Sequence, residues 1–222
     1  MTGYQPTSRR PIAGLFRRTA GGCAQWCARR GVHPDVVSYA SIAAAAGAAL
    51  CFWQSQAQPW LLIPAALLCY VRLWLNMLDG MVALAGGAAS PRGELTNDLP
   101  DRVSDIIIFA GAAHSGWCEP FTAYWVIIFA LLTAYVGLFG QALGVQREFS
   151  GVMSKPWRMV ALHAGAWLTL GLVWWGEGRI VLGGWTVLDW THVVIIGGCV
   201  QTIWIRLTRI LRALHEKEKR SP

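Results

Sequence analysis

Apolar segments of membrane-spanning length recur six times along this 222-residue chain, and that recurrence leaves few folds open. A bilayer demands about 20 mostly apolar residues per helical span, with every backbone polar group bonded inside the protein. The runs are Val36–Trp53, Trp60–Leu78, Val103–Trp117, Phe121–Leu143, Met159–Trp175 and Trp190–Ile210. The third is short and is expected to begin earlier, within the polar residues before it. Composition agrees: only 14% of residues are charged, against about 25% in a soluble domain. The expected fold is therefore an all-α integral membrane protein, six transmembrane helices preceded by an amphipathic juxtamembrane helix. The expected organisation is a single membrane domain over 1–222: a basic arm and juxtamembrane helix (1–35), the bundle (36–210) and a basic tail (211–222).

The formal net charge of +7 argues for orientation, not for nucleic-acid binding. Basic residues cluster at the termini and between alternate runs: Arg92 and Arg102, then Arg147, Lys155 and Arg158. The other connections carry none apart from Arg179. This asymmetry predicts both termini, and the loops after spans two and four, on the cytoplasmic side. Between Arg10 and Arg30, the apolar residues Ile12, Leu15, Phe16, Cys23, Trp26 and Cys27 alternate with arginines, which predicts the surface helix. The six cysteines imply no disulfide framework, and Cys23, Cys27 and His33 make only a weak metal signal.

Two polar stripes interrupt this apolar background. At the end of span two, Arg72, Asn76 and Asp79 are four and three residues apart and share one helix face. A charge at mid-bilayer costs roughly 2.5–3.5 kcal/mol on insertion scales, so this face is expected to point into the bundle. Partial neutralisation of Asp79 by Arg72, as a packing pair, is the plain alternative. Leading into span three, Asn97, Asp101 and Asp105 repeat every four residues, with Glu94 and Asp98 beside them. Hard divalent cations take oxygen ligands, so two facing helices with such stripes would form a metal site at the cytoplasmic rim. Pro100 is expected to kink the second helix.

The spacing of these residues resembles the signature of the CDP-alcohol phosphatidyltransferase family, D-x-x-D-G-x-x-A-R, eight residues, then G-x-x-x-D-x-x-x-D. Here the run is Asn76-x-x-Asp79-Gly80-x-x-Ala83-Leu84, eight residues, then Gly93-x-x-x-Asn97-x-x-x-Asp101. Asn stands for Asp at 76 and 97, and Leu84 stands where the family has Arg. The two Asn positions are similar to a bacterial branch reading N-x-L-D-G-M-x-A-R and L-N-E-x-x-D-x-x-S-D. A later G-K-x-D-R run of that branch corresponds to Ser154-Lys155-Pro156-Trp157-Arg158.

The resemblance implies a phosphotransferase of phospholipid biosynthesis in a bacterial inner membrane, with a CDP-linked lipid donor, an alcohol acceptor and CMP as leaving group. It implies divalent ions, Mg²⁺ or Mn²⁺, two of them in the family, with one ion as the alternative here because Asn76 and Asn97 each lack a carboxylate's charge. The metal-facing set would be Asn76, Asp79, Asn97, Asp98, Asp101 and Asp105, with Asp101 also the general base. Gly80, Ala83 and Gly93 would admit the nucleotide. Arg102, Arg147, Lys155 and Arg158 would hold phosphate or acceptor. A homodimer is also implied. The substitutions at 76, 84 and 97 leave a second reading open, a family-shaped protein that binds nucleotide, lipid or a partner without turnover. A small transporter is a third, against which the absence of an internal repeat counts.

Overall fold

The computed structural model describes residues 13–85, 91–176 and 182–220, with side chains for 20–85, 98–176 and 182–219. Seven α-helices and one 3₁₀ turn account for the regular structure of these residues. They are α1 (Ala13–Arg29), α2 (Pro34–Gln54), the 3₁₀ turn Pro59–Leu61, α3 (Leu62–Ala85), α4 (Pro91–Ala113), α5 (Pro120–Ala142), α6 (Lys155–Trp174) and α7 (Val187–Arg220). The extended residue His33 caps α2 by accepting from the Asp35 N–H at 3.4 Å. Prolines open the first turns of α2, α5 and α6, where a missing N–H removes no helical bond. Pro100 sits inside α4 without ending it.

Among the described residues, four stretches are long and apolar enough to cross a membrane: Pro34–Gln54, Pro59–Ala85, Pro120–Ala142 and Val187–Lys219. The third and fifth expected spans form as α4 and α6 but fall outside that set. Their leading turns carry Asp98, Asp101, Arg102 and Asp105 in one case, Lys155 and Arg158 in the other. Helix α4 starts well ahead of the apolar run, at Pro91. It stops at Ala113 instead of Trp117, because the chain turns at Gly116 with φ +72°.

Helix α2 packs against α3 and α4, α5 and α6 pack against α7, and α3 also contacts α6. The α2–α4 approach depends on Gly111, since a Cβ there would lie 2.5 Å from the Ala49 backbone. The core joins Ala45, Ala48 and Phe52 of α2 to Leu62, Ala65 and Cys69 of α3, Ile108 and Phe109 of α4, and Leu162, Leu188 and Ile195 beyond. Helix α1 docks on α3, burying Ala20, Ala24 and Cys27 against Val37, Leu78 and Val82. These three residues of its apolar face are thus partnered by protein, while Trp26 remains exposed.

The bundle has two distinct polar ends. At one, the Trp117 indole donates to Ser55 Oγ (3.0 Å), and Asp189 accepts from the Glu119 N–H and from Thr122 and Thr186. At the other, the end of α3, the first half of α4, the α5–α6 connection and the second half of α7 converge. The signature residues lie there.

Candidate active site

Helix α3 brings Arg72, Asn76 and Asp79 onto the face turned toward α4, as the four-and-three spacing requires. Arg72 and Asp79 are both almost fully buried. They do not neutralise each other as a packing pair. Asp79 instead accepts from neutral donors: Ser38 Oγ of α2 at 2.8 Å on Oδ2, and the Gly80 N–H at 2.6 Å on Oδ1. Arg72 reaches across to α4, where its Nη2 donates to Asp105 Oδ1 at 2.8 Å and to the Asp101 carbonyl at 2.9 Å.

Asp105, grouped with the metal-facing carboxylates in the sequence, has both oxygens engaged by guanidinium groups. Arg72 holds Oδ1, and Arg158 Nη2 holds Oδ2 at 2.9 Å. Arg158 is itself buried and also donates to the Met153 carbonyl at 3.3 Å. Both Asp105 oxygens, expected to face a metal, are thus engaged by guanidinium groups, and Arg158, which also lines the cavity, is held to that carboxylate. A buried charge is tolerated only when it is paired and hydrogen-bonded, which is what this arginine–aspartate–arginine bridge achieves.

Asp101 lies between this bridge and the open end. Its Oδ2 meets the Lys155 ammonium, which also donates to Asn76 Oδ1. Its Oδ1 is buried without a hydrogen-bond partner, with Arg72 Nη2 3.7 Å away. Asp79 and Asp101 are close enough to repel one another, with Lys155 offsetting part of that repulsion. Asp98 sits nearer the mouth, its Oδ1 accepting from Arg102 and Arg147 at 2.9 Å each. Two guanidinium groups thus balance the charge of the Asp98 carboxylate at the mouth.

Next to these groups opens a cavity of about 120 Å³, lined by Asn76, Asp98, Asp101, Arg147, Lys155 and Arg206 among others. Arg206 of α7 is the residue that sequence reasoning missed as a site component. It donates to the Thr133 carbonyl at 2.6 Å and, through Nε, to the Ser150 carbonyl at 2.9 Å. Gly137 makes room for it, since a Cβ at 137 would lie 2.8 Å from Arg206 Nη1. Its only signal in the sequence was a cation one turn inside an apolar run. Gly80 and Ala83 follow on α3, and Leu84 is half exposed at that helix's end. Gly93 and Asn97 belong to the first turns of α4, but their side chains lie outside the described residues.

Known proteins bear directly on this arrangement. No family model matches the sequence. The archaetidylinositol phosphate synthase of Aeropyrum pernix is 30% identical over 150 residues, covering 66% of this chain and 73% of that protein. The chain belongs to the CDP-alcohol phosphatidyltransferase family. Within the family's reach, the phosphatidylinositol phosphate synthase of Mycobacteroides abscessus is 27% identical over 157 residues, 68% of this chain and 69% of the relative. The inner membrane protein YnbA of Escherichia coli is 24% identical over 153 residues, 69% and 70% of the two chains. The fold is that of the Mycobacterium tuberculosis phosphatidylinositol phosphate synthase. Its structure with CDP-DAG bound superposes with a TM-score of 0.69 at 20% identity, over 87% of this chain and 94% of that one. Its complex with manganese and citrate gives 0.70 at 21% identity, over 86% and 88%.

Proposed function

We propose that the protein is a membrane-embedded phosphotransferase of phospholipid biosynthesis. It moves a substituted phosphate from a CDP-linked lipid donor to the hydroxyl of an alcohol acceptor and releases CMP. One observation carries this reading: Asp79 of α3 and Asp101 of α4 lie close enough to interact, with Asp101 Oδ1 buried and without a hydrogen bond, and Asp101 lines a cavity rimmed by basic side chains. Family membership and the structural likeness support it.

The donor set fits a hard divalent cation. Asp79 offers a carboxylate hydrogen-bonded only by neutral donors, and Asp101 offers an oxygen that accepts no hydrogen bond. Asp79 and Asp101 are therefore the residues assigned to hold Mg²⁺ or Mn²⁺. A bound divalent ion would neutralise pyrophosphate charge and stabilise the leaving oxygen.

The chain's own groups then divide the work. Each carboxylate oxygen carries two lone pairs, so Asp101 Oδ1 keeps one for the acceptor hydroxyl proton. As that proton moves to Asp101, the acceptor oxygen bonds to the β-phosphorus. The bond from that phosphorus to the bridging oxygen breaks, and the bridging oxygen leaves with CMP. Lys155 fixes Asp101 through Oδ2, leaving Oδ1 as the reactive oxygen. Gly80, Ala83 and Gly93, all small, let the nucleotide approach α3 and α4 closely. Arg102, Arg147 and Arg206 give the cavity the positive charge an anionic acceptor or diphosphate requires.

Helices α4 and α6 serve as the third and fifth of six spans, with α1 at the membrane surface. Positive-inside charge puts both termini and the cavity on the cytoplasmic face of a bacterial inner membrane. A non-catalytic binder is the second reading, favoured by Leu84, which brings no cation to the end of α3. The two are separated by calorimetry with a CDP-linked lipid and by turnover. Metal-dependent donor binding with CMP release supports the enzyme; metal-independent binding without CMP release supports the binder.

A further inference from the structure

The polar end of the bundle opposite the cavity gathers a second set of side chains of metal-ligating type. Cys118 lies in the α4–α5 connection, two residues before Pro120 opens α5. Asp189 and His192 are three residues apart at the start of α7, so they share a helix face. The Cys118 sulfur, a carboxylate oxygen of Asp189 and a ring nitrogen of His192 all lie within 4.8 Å of one another. Asp189 and His192 are almost completely buried, and Cys118 nearly so. The phosphotransfer reading uses none of the three.

Hydrogen bonding alone leaves this cluster incomplete. The Thr122 hydroxyl has one proton, yet its oxygen lies 2.9 Å from each of three groups: the Glu119 carbonyl, Asp189 Oδ1 and His192 Nδ1. It donates to one of them at a time. His192 Nε2 is buried with no hydrogen-bond partner, so in either tautomer one nitrogen of a fully buried imidazole bonds to nothing. A buried polar atom in that condition calls for a partner. The other hydrogen bonds to Asp189 come from neutral groups, the Glu119 and Thr186 N–H and the Thr186 hydroxyl. With the Thr122 proton directed to the Glu119 carbonyl, Asp189 Oδ1 keeps a lone pair for an ion.

Thiolate, imidazole and carboxylate together are the donor set of Zn²⁺, whereas Mg²⁺ takes oxygen alone. On binding, the Cys118 thiol releases its proton and gives up its bond to the Ala112 carbonyl at 3.2 Å. The thiolate, the carboxylate and one divalent ion then sum to zero charge, as a buried place requires. A tetrahedral ion with bonds of about 2.0–2.3 Å holds its ligands roughly 3.3–3.8 Å apart, so the three side chains close on it by about 1 Å. We propose that Cys118, Asp189 and His192 bind Zn²⁺, with water in the fourth position, and that the ion ties the α4–α5 connection to the start of α7. The proposal stands apart from the reaction assigned to the cavity.

Co²⁺ in place of Zn²⁺ tests this in the full-length protein in detergent. A Co²⁺–thiolate bond gives a charge-transfer band that the oxygen ligands of Asp79 and Asp101 do not. A variant keeping Cys118 as its only cysteine should show that band at one Co²⁺ per chain, and excess Zn²⁺ should erase it. Cys118→Ser in that variant should abolish the band, and His192→Ala should weaken Co²⁺ binding by at least the roughly tenfold that even the loss of an outer partner causes. Zn²⁺ should also raise the Tm of the wild type further than that of Cys118→Ser. No band in the Cys118-only protein, or Co²⁺ binding untouched by His192→Ala, would overturn the proposal. Should the Cys118-only protein fail to fold, the Tm comparison decides, and equal Zn²⁺ responses of wild type and Cys118→Ser would overturn it.

Discussion

Arg158 and Asp105 form a buried ion pair, Nη2 to Oδ2 at 2.9 Å, that fastens the start of α6 to the middle of α4. Arg72 closes the other side of the same carboxylate at 2.8 Å. Removing one partner from such an arrangement strands an uncompensated charge, which costs about 3–5 kcal/mol. Asp105→Ala should therefore act on stability first, leaving two guanidinium groups without their anion. Thermal unfolding of the detergent-solubilised protein should show a large fall in Tm for Asp105→Ala and for Arg158→Ala. A small change in either would mean that the bridge is not what joins the two helices.

Gly137 offers a separate handle on the cavity. A Cβ at this position would meet Arg206 Nη1 and the Glu148 carbonyl, each at 2.8 Å. Gly137→Val should push Arg206 out of its place and fill part of the cavity. The expected outcome is an acceptor KM raised about tenfold or more, the equivalent of about 1.4 kcal/mol of lost binding, with CDP-donor affinity little changed. Steady-state kinetics with each substrate varied in turn would separate the two effects.

Leu84→Arg tests the departure at the end of α3. The residue is half exposed, so a longer cationic side chain has room there. A charge-assisted contact to a donor phosphate contributes about 1.5–3 kcal/mol, so CDP-donor binding should tighten by roughly tenfold or more. Calorimetry with a CDP-linked lipid checks this. Unchanged affinity would show that another basic group already serves the donor phosphates.

Orientation is tested by single cysteines on a Cys-free background. Positions in the α5–α6 connection, residues 143–154, should label from the cytoplasmic side. Positions 56–58, before the 3₁₀ turn, should label from the opposite side. The reverse pattern would move the site to the wrong face of the membrane for a cytoplasmic nucleotide.

Much of this was legible in the residues because it is local. Apolar runs gave the helices, and the four-and-three spacing of Arg72, Asn76 and Asp79 put them on one face of α3. What periodicity does not carry is partnership between helices. Arg72 and Asp79 share a face, yet Arg72 turns to Asp105, twenty-six residues beyond Asp79, because α4 presents the better-placed carboxylate. Asp105 fitted the stripe of Asn97 and Asp101 by spacing alone, and only the approach of α6 through Arg158 shows that it is enclosed. Arg206 was hidden differently. Its distance from the motifs in sequence gives no hint that Gly137 lets it under α5. Helix α1 matched a surface helix in pattern, but its docking on Leu78 and Val82 depends on α3 being there.

If Asp79 and Asp101 form a metal-dependent phosphotransfer site, CMP release depends on both of them and on a divalent ion. Purified protein would be supplied with CDP-diacylglycerol, a panel of alcohol and phosphorylated-alcohol acceptors, and Mg²⁺ or Mn²⁺. The wild type should show acceptor-dependent CMP release that a chelator stops and added metal restores. Asp79→Ala and Asp101→Ala should abolish release while retaining the wild-type helical circular dichroism. Undiminished CMP release from either folded variant, or from the wild type in excess chelator, would contradict this assignment.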